Sequence, residues 1–338
     1  MHEPATGTCA CPSCGGTLRP LAPDSHEMLD VLPVSWRVVR HIRPKYSCRA
    51  CERIVRELVL VDRSADKAEG EAMDLRHAVA VPMTSPIEIT VGDYAEAARS
   101  SIVVLTAGVA SGDPDASRLD LLNQNVKIIR DILGKLKTED FAGILIVTSN
   151  PVDVLAKVAH EVSGLAPGSV IGSGTLIDTA RLRGMIGDAL GVEPRAVDAY
   201  VIGEHGDSEI AVWSGARVAG VPLDRFPGGS DLDRRELLKQ VREAAPEIVA
   251  RKGATEYAIG LCVKRICEAI LRNERAALAV STLLTGEYGV DDVYLGTPYI
   301  VGKNGVERVI ELELEDVERE GVQASAALLI KARAELKD

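Results

Sequence analysis

The stretch Glu57-Leu58-Val59-Leu60-Val61-Asp62 decides the fold, because it is a short apolar run that ends in an acidic residue. This pattern is typical of a buried strand in a parallel sheet. In a dinucleotide-binding fold, a carboxylate at the end of such a strand accepts hydrogen bonds from the adenosine ribose and disfavours a 2'-phosphate, so Asp62 favours NAD over NADP. Asp62 could also be the N-cap of a helix predicted for residues 64–77, and the two roles are compatible.

Further strands are predicted downstream of this run, for residues 87–91, 101–106 and 143–148. Between the last two, apolar residues recur at helical spacing and give one apolar face that we assign to the core: Leu122, Val126, Ile129, Leu133 and Leu136. Alternating strands and helices predict an α/β fold with a doubly wound (Rossmann-like) parallel sheet. From Pro151 onward, helices alternate with short strands, which predicts an α+β substrate domain.

The part of the fold that should precede Asp62 is missing. A dinucleotide-binding fold needs a strand, a Gly-x-Gly-x-x-Gly loop and a helix whose N-terminus receives the pyrophosphate, and no Gly-x-Gly-x-x-Gly occurs in this chain. In the usual strand order 3-2-1-4-5-6 the missing strand is central, so the sheet is predicted to be truncated and two strands each lose a neighbour. Residues 36–42 could provide a substitute strand, but Arg37, Arg40 and His41 would then lie between layers of helices.

A candidate active site is formed by Val201-Ile202-Gly203-Glu204-His205-Gly206-Asp207-Ser208, which follows Asp178-Thr179-Ala180-Arg181. An imidazole titrates near pH ~6.5, so His205 can give a proton to a carbonyl oxygen if a carboxylate fixes its tautomer. Asp178 could be that carboxylate. Arg181 could present two parallel N–H donors to a substrate carboxylate.

These two motifs, together with Thr148-Ser149-Asn150-Pro151-Val152-Asp153 and Ile171-Gly172-Ser173-Gly174-Thr175, resemble the lactate and malate dehydrogenase family, on its lactate side. The resemblance runs from about residue 57 to the C-terminus. It implies hydride transfer between NAD(H) and a small 2-hydroxy or 2-oxo monocarboxylic acid, with lactate and pyruvate favoured. It also implies that His205 exchanges the hydroxyl proton while Asp178 holds it. Arg181 would anchor the substrate carboxylate, and Arg118 would polarise the carbonyl.

The resemblance implies further binding residues, several of which could equally be structural. Substrate contacts are implied for Asn150, Asp153 and Thr255. Cofactor contacts are implied for Asp62, Lys67, Tyr94, Gly108, Val109, Thr148, Ser149, Asn150 and Ser173. Six residues before Arg118, where the family carries glutamine or arginine, this chain has Gly112 or Ser111, beside Asp113 and Asp115. Malate is therefore disfavoured.

The first 56 residues differ from the rest in charge and cysteine content. They carry eight Lys/Arg and five Asp/Glu, a net charge of +3, whereas the whole chain carries -11. Cys11 and Cys14 form one Cys-x-x-Cys pair, and Cys48 and Cys51 form another; four thiolates at this spacing can close a tetrahedral shell around zinc. A disulfide is disfavoured in a reducing compartment. Residues 11–55 resemble the zinc-finger segment of an insertion-sequence transposase, although a structural knuckle without a nucleic-acid partner is favoured.

The sequence thus predicts a fusion of three domains: a zinc-knuckle module at 1–56, an incomplete dinucleotide-binding domain at 57–150 and a substrate domain at 151–338. We expect impaired dehydrogenase activity because the glycine loop is lost. The alternative is an inactive fusion product whose competent part is the zinc-binding module, able to contact nucleic acid. No apolar run reaches the ~20 residues of a membrane span, so a cytoplasmic protein without a membrane partner is expected. The resemblance implies a homodimer or homotetramer.

Overall fold

The computed structural model describes residues 19–32, 35–47, 55–79, 87–109 and 118–336. Within these ranges the side chains of residues 19–47, of Val79 and of Arg118 are not described. The chain divides into two compact units, residues 1–92 and residues 93–338. The prediction of three domains bounded at residues 56 and 150 stays a prediction.

In the described ranges of the first unit there are two two-stranded sheets. β1 (Arg19–Leu32) and β2 (Ser35–Ser47) form an antiparallel hairpin. β3 (Glu57–Leu60) and β4 (Glu88–Val91) form a parallel pair connected through α1 (Ala65–Val79). Residues 36–42 lie in β2 and pair with β1, so in the described part of the chain they provide no substitute strand for the parallel sheet. The four predicted zinc ligands Cys11, Cys14, Cys48 and Cys51 lie outside the described residues.

The strand predicted at residues 57–62 is present as β3, but the prediction that it is buried is wrong. Leu58 is 36% exposed and Val61 is 38% exposed. Of the α1 side chains that are described, only those of Ala68 and Ala72 are buried, whereas Met73 is 49% exposed. The physical reason is that β3 has a single strand partner, β4, among the described residues, so its apolar side chains lack the neighbours that the pattern anticipates.

The second unit is built on a six-stranded sheet in the order β15-β14-β13-β7-β6-β5. Its parallel half comprises β5 (Ile102–Leu105), β6 (Ile144–Val147) and β7 (Val170–Gly172). The antiparallel half comprises β13 (Ala276–Thr285), β14 (Asp291–Gly302) and β15 (Gly305–Val309). β5 is an edge strand of this sheet, as expected if the central strand of the fold is missing.

Seven α-helices, five short strands and five 3₁₀ helices of three residues each complete the described part of this unit. The helices are α2 (Tyr94–Ala98), α3 (Arg118–Thr138), α4 (Val152–Ser163), α5 (Leu176–Leu190), α6 (Arg234–Lys252), α7 (Tyr257–Leu271) and α8 (Asp316–Ala334). The short strands are β8 (Val197–Asp198), β9 (Val201–Ile202), β10 (Ile210–Ala211), β11 (Arg217–Val218) and β12 (Val221–Pro222). An α/β fold is therefore confirmed.

The core of the second unit lies on the parallel strands and the helices that cover them. All four residues of β6 are buried, and so is the predicted apolar stripe of α3: Leu122, Val126, Ile129, Leu133 and Leu136. A smaller apolar cluster joins Leu182 and Ile186 of α5 to Val201 of β9 and Val218 of β11. None of the helices in the described ranges is both long and apolar enough to cross a membrane.

Candidate active site

Two threonines of the α5 region fix β9 against the helix that carries Asp178 and Arg181. Thr175, immediately before α5, donates from Oγ1 to the carbonyl of Val201 at 2.6 Å. The Thr179 hydroxyl accepts from the Val201 N–H at 3.0 Å. Both threonines are buried. The backbone that leads to His205 is thereby held at a defined position relative to Asp178.

After β9 the chain turns sharply at Gly203, and three surrounding elements hold the turn. Gly203 has φ of 102° and exchanges two backbone hydrogen bonds with Gly296 of β14, at 2.8 and 3.0 Å. A Cβ at Gly296 would lie 2.7 Å from Thr175 Oγ1, so this close approach requires glycine. Beyond the turn, the Glu204 N–H donates to Ser325 Oγ of α8 at 2.8 Å. The next N–H, that of His205, donates to Asp153 Oδ2 of α4 at 2.8 Å.

The structure brings three of the predicted catalytic residues together. His205 Nδ1 lies 2.5 Å from Asp178 Oδ2, and the other oxygen of Asp178 accepts from Arg181 Nη1 at 2.8 Å. The Asp178 side chain is 2% exposed, whereas those of Arg181 and His205 are 14% and 20% exposed. Because Asp178 engages Nδ1, it fixes the tautomer in which Nε2 is left for another partner. The remaining N–H groups of the Arg181 guanidinium stay available as donors to an anion.

His205 holds its proton far more tightly than an ordinary histidine. Burial by itself lowers the pKa of His205, but the hydrogen bond and charge of Asp178 outweigh it, and the charges of Asp153 and Glu209 add to the effect. Together they raise the pKa to about 9. The ring is therefore an imidazolium at neutral pH, ready to act as a general acid.

Two buried carboxyl groups surround the His205–Asp178 pair. Burial raises the pKa of Asp153 to about 6, although the Ser281 side chain and the His205 N–H oppose the shift. Asp153 Oδ1 has no hydrogen-bond partner among the described residues. The structure shows Asp153 supporting the His205 backbone; its implied contact with substrate stays a prediction.

The second buried carboxyl group, that of Glu209, was missed by the sequence interpretation. It is 1% exposed. A carboxylate oxygen of Asp178, a ring nitrogen of His205 and a carboxylate oxygen of Glu209 all lie within 4.8 Å of one another. Burial and the negative charge of Asp178 raise the pKa of Glu209 to about 8. One signal could have identified it: Glu209 is a charged residue directly before the apolar pair of β10.

A buried amide, also missed, organises the carboxyl ends of the parallel strands. Asn125 of α3 accepts from the Val109 N–H at 2.7 Å and donates to the Val109 and Asn150 carbonyls at 3.3 and 2.9 Å. It thus ties the segment after β5 to the segment after β6. A Cβ at Gly108 would lie 3.2 Å from Asn125 Oδ1, so the glycine permits this approach. The signal was a polar residue beside Leu122 and Val126 on the apolar face of α3.

Three of the predicted cofactor contacts lie at the same sheet edge and have structural partners. Thr148 Oγ1 donates to the Leu105 carbonyl at 3.1 Å, and Ser149 Oγ donates to the Ala107 carbonyl at 2.7 Å. Ser173 is buried, and its N–H donates to the Val147 carbonyl at 2.9 Å. These bonds align the strand ends where parallel sheets bind ligands.

The other predicted site residues are more dispersed. Tyr94 begins α2 and lies under the Lys135 ammonium, 5.1 Å from the ring centroid. Asn150 is exposed, and Thr255 is half-buried between α6 and α7. Arg118 begins α3, but its side chain lies outside the described residues.

In the first unit, Asp62 lies beyond the end of β3. Its Oδ1 accepts from the Ser64 N–H at 2.9 Å, and its Oδ2 is 4.0 Å from the Lys67 ammonium. The N-cap of α1 is Ser64, whose Oγ accepts from the Lys67 N–H at 3.3 Å. The suggested capping role of Asp62 is therefore wrong, because its carboxylate reaches only the N–H of the capping residue.

Comparisons with known proteins agree with this geometry. Residues 46–172 match the lactate/malate dehydrogenase NAD binding domain, and residues 175–338 match the alpha/beta C-terminal domain of the same family. Residues 8–52 match the zinc-finger binding domain of transposase IS66. Both resemblances seen in the sequence are confirmed.

Individual relatives are similar over most of the chain. An L-lactate dehydrogenase of Priestia megaterium is 46% identical over 284 residues, covering 83% of this chain and 88% of the relative. One from Thermoanaerobacter sp. (strain X514) is 44% identical over 293 residues, covering 85% and 93%. The crystal structure of a minor L-lactate dehydrogenase from Enterococcus mundtii superposes with a TM-score of 0.79 at 40% identity, covering 83% of this chain and 90% of that one. The chain belongs to the lactate/malate dehydrogenase family.

Proposed function

We propose that this chain is an L-lactate dehydrogenase-type oxidoreductase that interconverts a small 2-oxo and 2-hydroxy monocarboxylic acid with NAD(H), pyruvate and lactate being the favoured pair. The observation that carries the proposal is the 2.5 Å contact of His205 Nδ1 with buried Asp178, whose second oxygen holds Arg181. A proton donor and an anion-binding cation are thus fixed on one carboxylate. The relatives named L-lactate dehydrogenase support the same chemistry.

In the reducing direction, His205 gives a proton to the substrate carbonyl oxygen as that oxygen gains negative charge. Asp178 stabilises the imidazolium before this transfer and keeps Nε2 as the nitrogen that donates. In the oxidising direction, neutral His205 accepts the hydroxyl proton. NADH, when bound, supplies the hydride that reduces the substrate C2.

Arg181 and Arg118 would hold the two ends of the substrate. The Arg181 guanidinium shares Nη1 with Asp178 and has further N–H groups for the substrate carboxylate. Arg118 follows the segment 110–117 and would stabilise the developing alkoxide. Gly112 or Ser111 offers no cation to a second carboxylate, and Asp113 and Asp115 would repel one. Monocarboxylic acids are therefore the expected substrates.

The fit of this chain to NAD is uneven. At the ends of the parallel strands, Asn125 holds the Gly108–Val109 backbone in place, and parallel sheets bind their ligands at this edge. Asp62, beyond the end of β3, has carboxylate oxygens that can accept hydrogen bonds from the ribose hydroxyls. The glycine loop that would bind the pyrophosphate is missing from the sequence. We therefore propose weakened NAD(H) binding.

The N-terminal segment is proposed to bind one structural zinc ion through Cys11, Cys14, Cys48 and Cys51. The match of residues 8–52 to a zinc-finger domain supports this ligand set. A homodimer or homotetramer is proposed by analogy with the family. No nucleic-acid partner is proposed.

The test uses the chain as it is and a repaired chimera in which residues 1–56 are replaced by the equivalent N-terminal part of the Priestia megaterium relative. The chimera should oxidise NADH with pyruvate, and His205→Asn should abolish turnover while leaving NADH binding nearly unchanged. Oxaloacetate should be the poorer substrate. A chimera that keeps its rate without His205, or that prefers oxaloacetate, would overturn these assignments.

A further inference from the structure

The side-chain cluster around His205 contains more carboxyl groups than its cations can neutralise through direct contacts. Asp178 uses both oxygens, one on His205 and one on Arg181. Asp153 uses one oxygen on the His205 N–H. Glu209 lies within the same cluster, and its Oε1 is buried without a hydrogen-bond partner in the described part of the chain. Glu209 is therefore the carboxyl group whose charge is least compensated.

Charged groups on several neighbouring elements bear on this arrangement. Asp178 and Arg181 are on α5, Asp153 is on α4, and Glu204 is in the His205 loop. Arg242 of α6 donates to the Glu209 backbone carbonyl, so this contact leaves the side-chain oxygen Oε1 unpaired. Cys262 of α7 is near Asp178 and Arg181, and burial raises the pKa of its thiol to about 11.

A buried carboxylate with an unpartnered oxygen next to another carboxylate is unfavourable, so such a group takes up a proton. Protonation removes the repulsion between Glu209 and Asp178. Asp178 cannot take this proton as easily, because two cationic groups contact it directly. When one carboxyl group of the cluster takes up a proton, that group is therefore Glu209.

We propose that Glu209 is protonated at neutral pH and that its ionisation in alkaline solution keeps His205 protonated to higher pH. Glu209 acts through His205 and does not itself contact substrate, so it is a positioning residue. Its use in catalysis rests on the proposed dehydrogenase function. A protonated His205 is what reduction of a carbonyl requires, so Glu209 would extend the pH range of the reductive direction.

The experiment is a nuclear magnetic resonance titration of the full chain, labelled with ¹³C at glutamate carboxyl groups and at histidine rings, from about pH 5 to about pH 10. The wild type should show one glutamate carboxyl signal with a midpoint above about pH 7, and Glu209→Gln should remove it. The same variant should lower the midpoint of His205 by about one pH unit, because glutamine cannot become negative. The His205 signal is assigned with His205→Asn.

Glu318→Gln is the matched control. Glu318 is also a buried glutamate, but both of its oxygens accept hydrogen bonds from Ser214, at 3.0 and 2.5 Å. Its loss should leave the His205 midpoint unchanged. A purely structural effect of removing a buried carboxyl group would instead change stability without moving that midpoint.

Two results would overturn the proposal: a wild-type chain in which every glutamate titrates below about pH 6, or a His205 midpoint that Glu209→Gln does not move. The first needs no variant, so it decides even if Glu209→Gln fails to fold. Neither measurement requires NADH or turnover. Failure of the repaired chimera to reduce pyruvate would therefore contradict the proposed function without affecting this test.

Discussion

Replacing Asp178 by asparagine should destabilise the protein by an amount that depends on pH. The pKa of His205 is raised from 6.5 to about 9, mainly by Asp178 acting against burial. At 1.36 kcal/mol per unit, this difference of about 2.5 units corresponds to about 3 kcal/mol of stability. Because the folded-state pKa is the higher one, this stability is fully present below pH ~6.5 and is lost as the pH rises through about 9.

Asp178→Asn keeps the size of the side chain and removes its negative charge. The cost of burying the His205 imidazolium is then no longer offset by Asp178. The loss of Arg181's partner destabilises the variant at every pH. The further loss of stability that comes from the interaction between Asp178 and charged His205 appears only in acid and neutral solution, where the wild-type ring is protonated. Since 1 kcal/mol shifts the Tm of a unit of this size by about 2–4 °C, the loss of Tm should be about 6–12 °C greater at pH ~6 than at pH ~10.

The measurement is thermal unfolding of the wild type and the variant, followed by circular dichroism at the two pH values. Asp188→Asn is the control, because Asp188 is an exposed aspartate on the same helix. It should change the Tm little at either pH. If Asp178→Asn lowers the Tm equally at both pH values, then Asp178 does not stabilise a charged His205, and the assignment of His205 as an imidazolium at neutral pH is refuted.

Three further outcomes are expected. Metal analysis of the purified chain should find one zinc ion per chain and less in Cys48→Ala, since a tetrahedral shell needs all four thiolates; unchanged stoichiometry would contradict the ligand set. Calorimetric titration should show NADH binding at least a hundredfold weaker than in the Priestia megaterium relative, because roughly three charged hydrogen bonds of about 1.5–3 kcal/mol each are lost with the glycine loop; equal affinity would show that another segment rebuilds the site. Asn125→Ala should lower the Tm by about 5 °C or more, because it removes the partners of backbone groups of Val109 and Asn150. The control is Asn123→Ala, which should have a smaller effect because the Asn123 amide donates to a carbonyl within α3.

The centre of the candidate site could be predicted from the sequence because its residue types have few other uses together. An aspartate and an arginine three residues apart on a helix, followed by a histidine in a glycine-flanked turn, are brought together as expected in α5 and the His205 loop. The apolar stripe of α3 was also predictable, because its period is that of a helix and every member is buried.

Glu209 and Asn125 could not be assigned in this way. A single polar residue in an apolar pattern is compatible with a surface position, and only the packing of distant segments shows that it is buried. For Glu209 those segments are α5 and α6; for Asn125 they are the ends of β5 and β6. The exposure of β3 is the opposite case. The apolar sequence of β3 is typical of a strand that is covered on both faces and paired on both edges. In the described part of this chain β3 pairs with β4 alone, and its apolar side chains are partly exposed.

The acid–base site and the part of the chain expected to hold the cofactor pyrophosphate lie on opposite sides of the boundary predicted at residue 56. Every described contact that positions His205 comes from residues between Asp153 and Ser325, including the Thr175 and Thr179 anchors, Asp178 and Gly296. None of these residues lies within residues 1–56, where the sequence interpretation predicts the loss of the first strand and the glycine loop. The raised pKa of His205 should therefore survive in the full chain even if NADH binding is severely weakened. A full chain in which the pKa of His205 is raised to about 9 and NADH binds weakly would place the defect in cofactor binding alone. A His205 pKa near the ordinary value of about 6.5 would mean that loss of the first strand also disturbs the acid–base site.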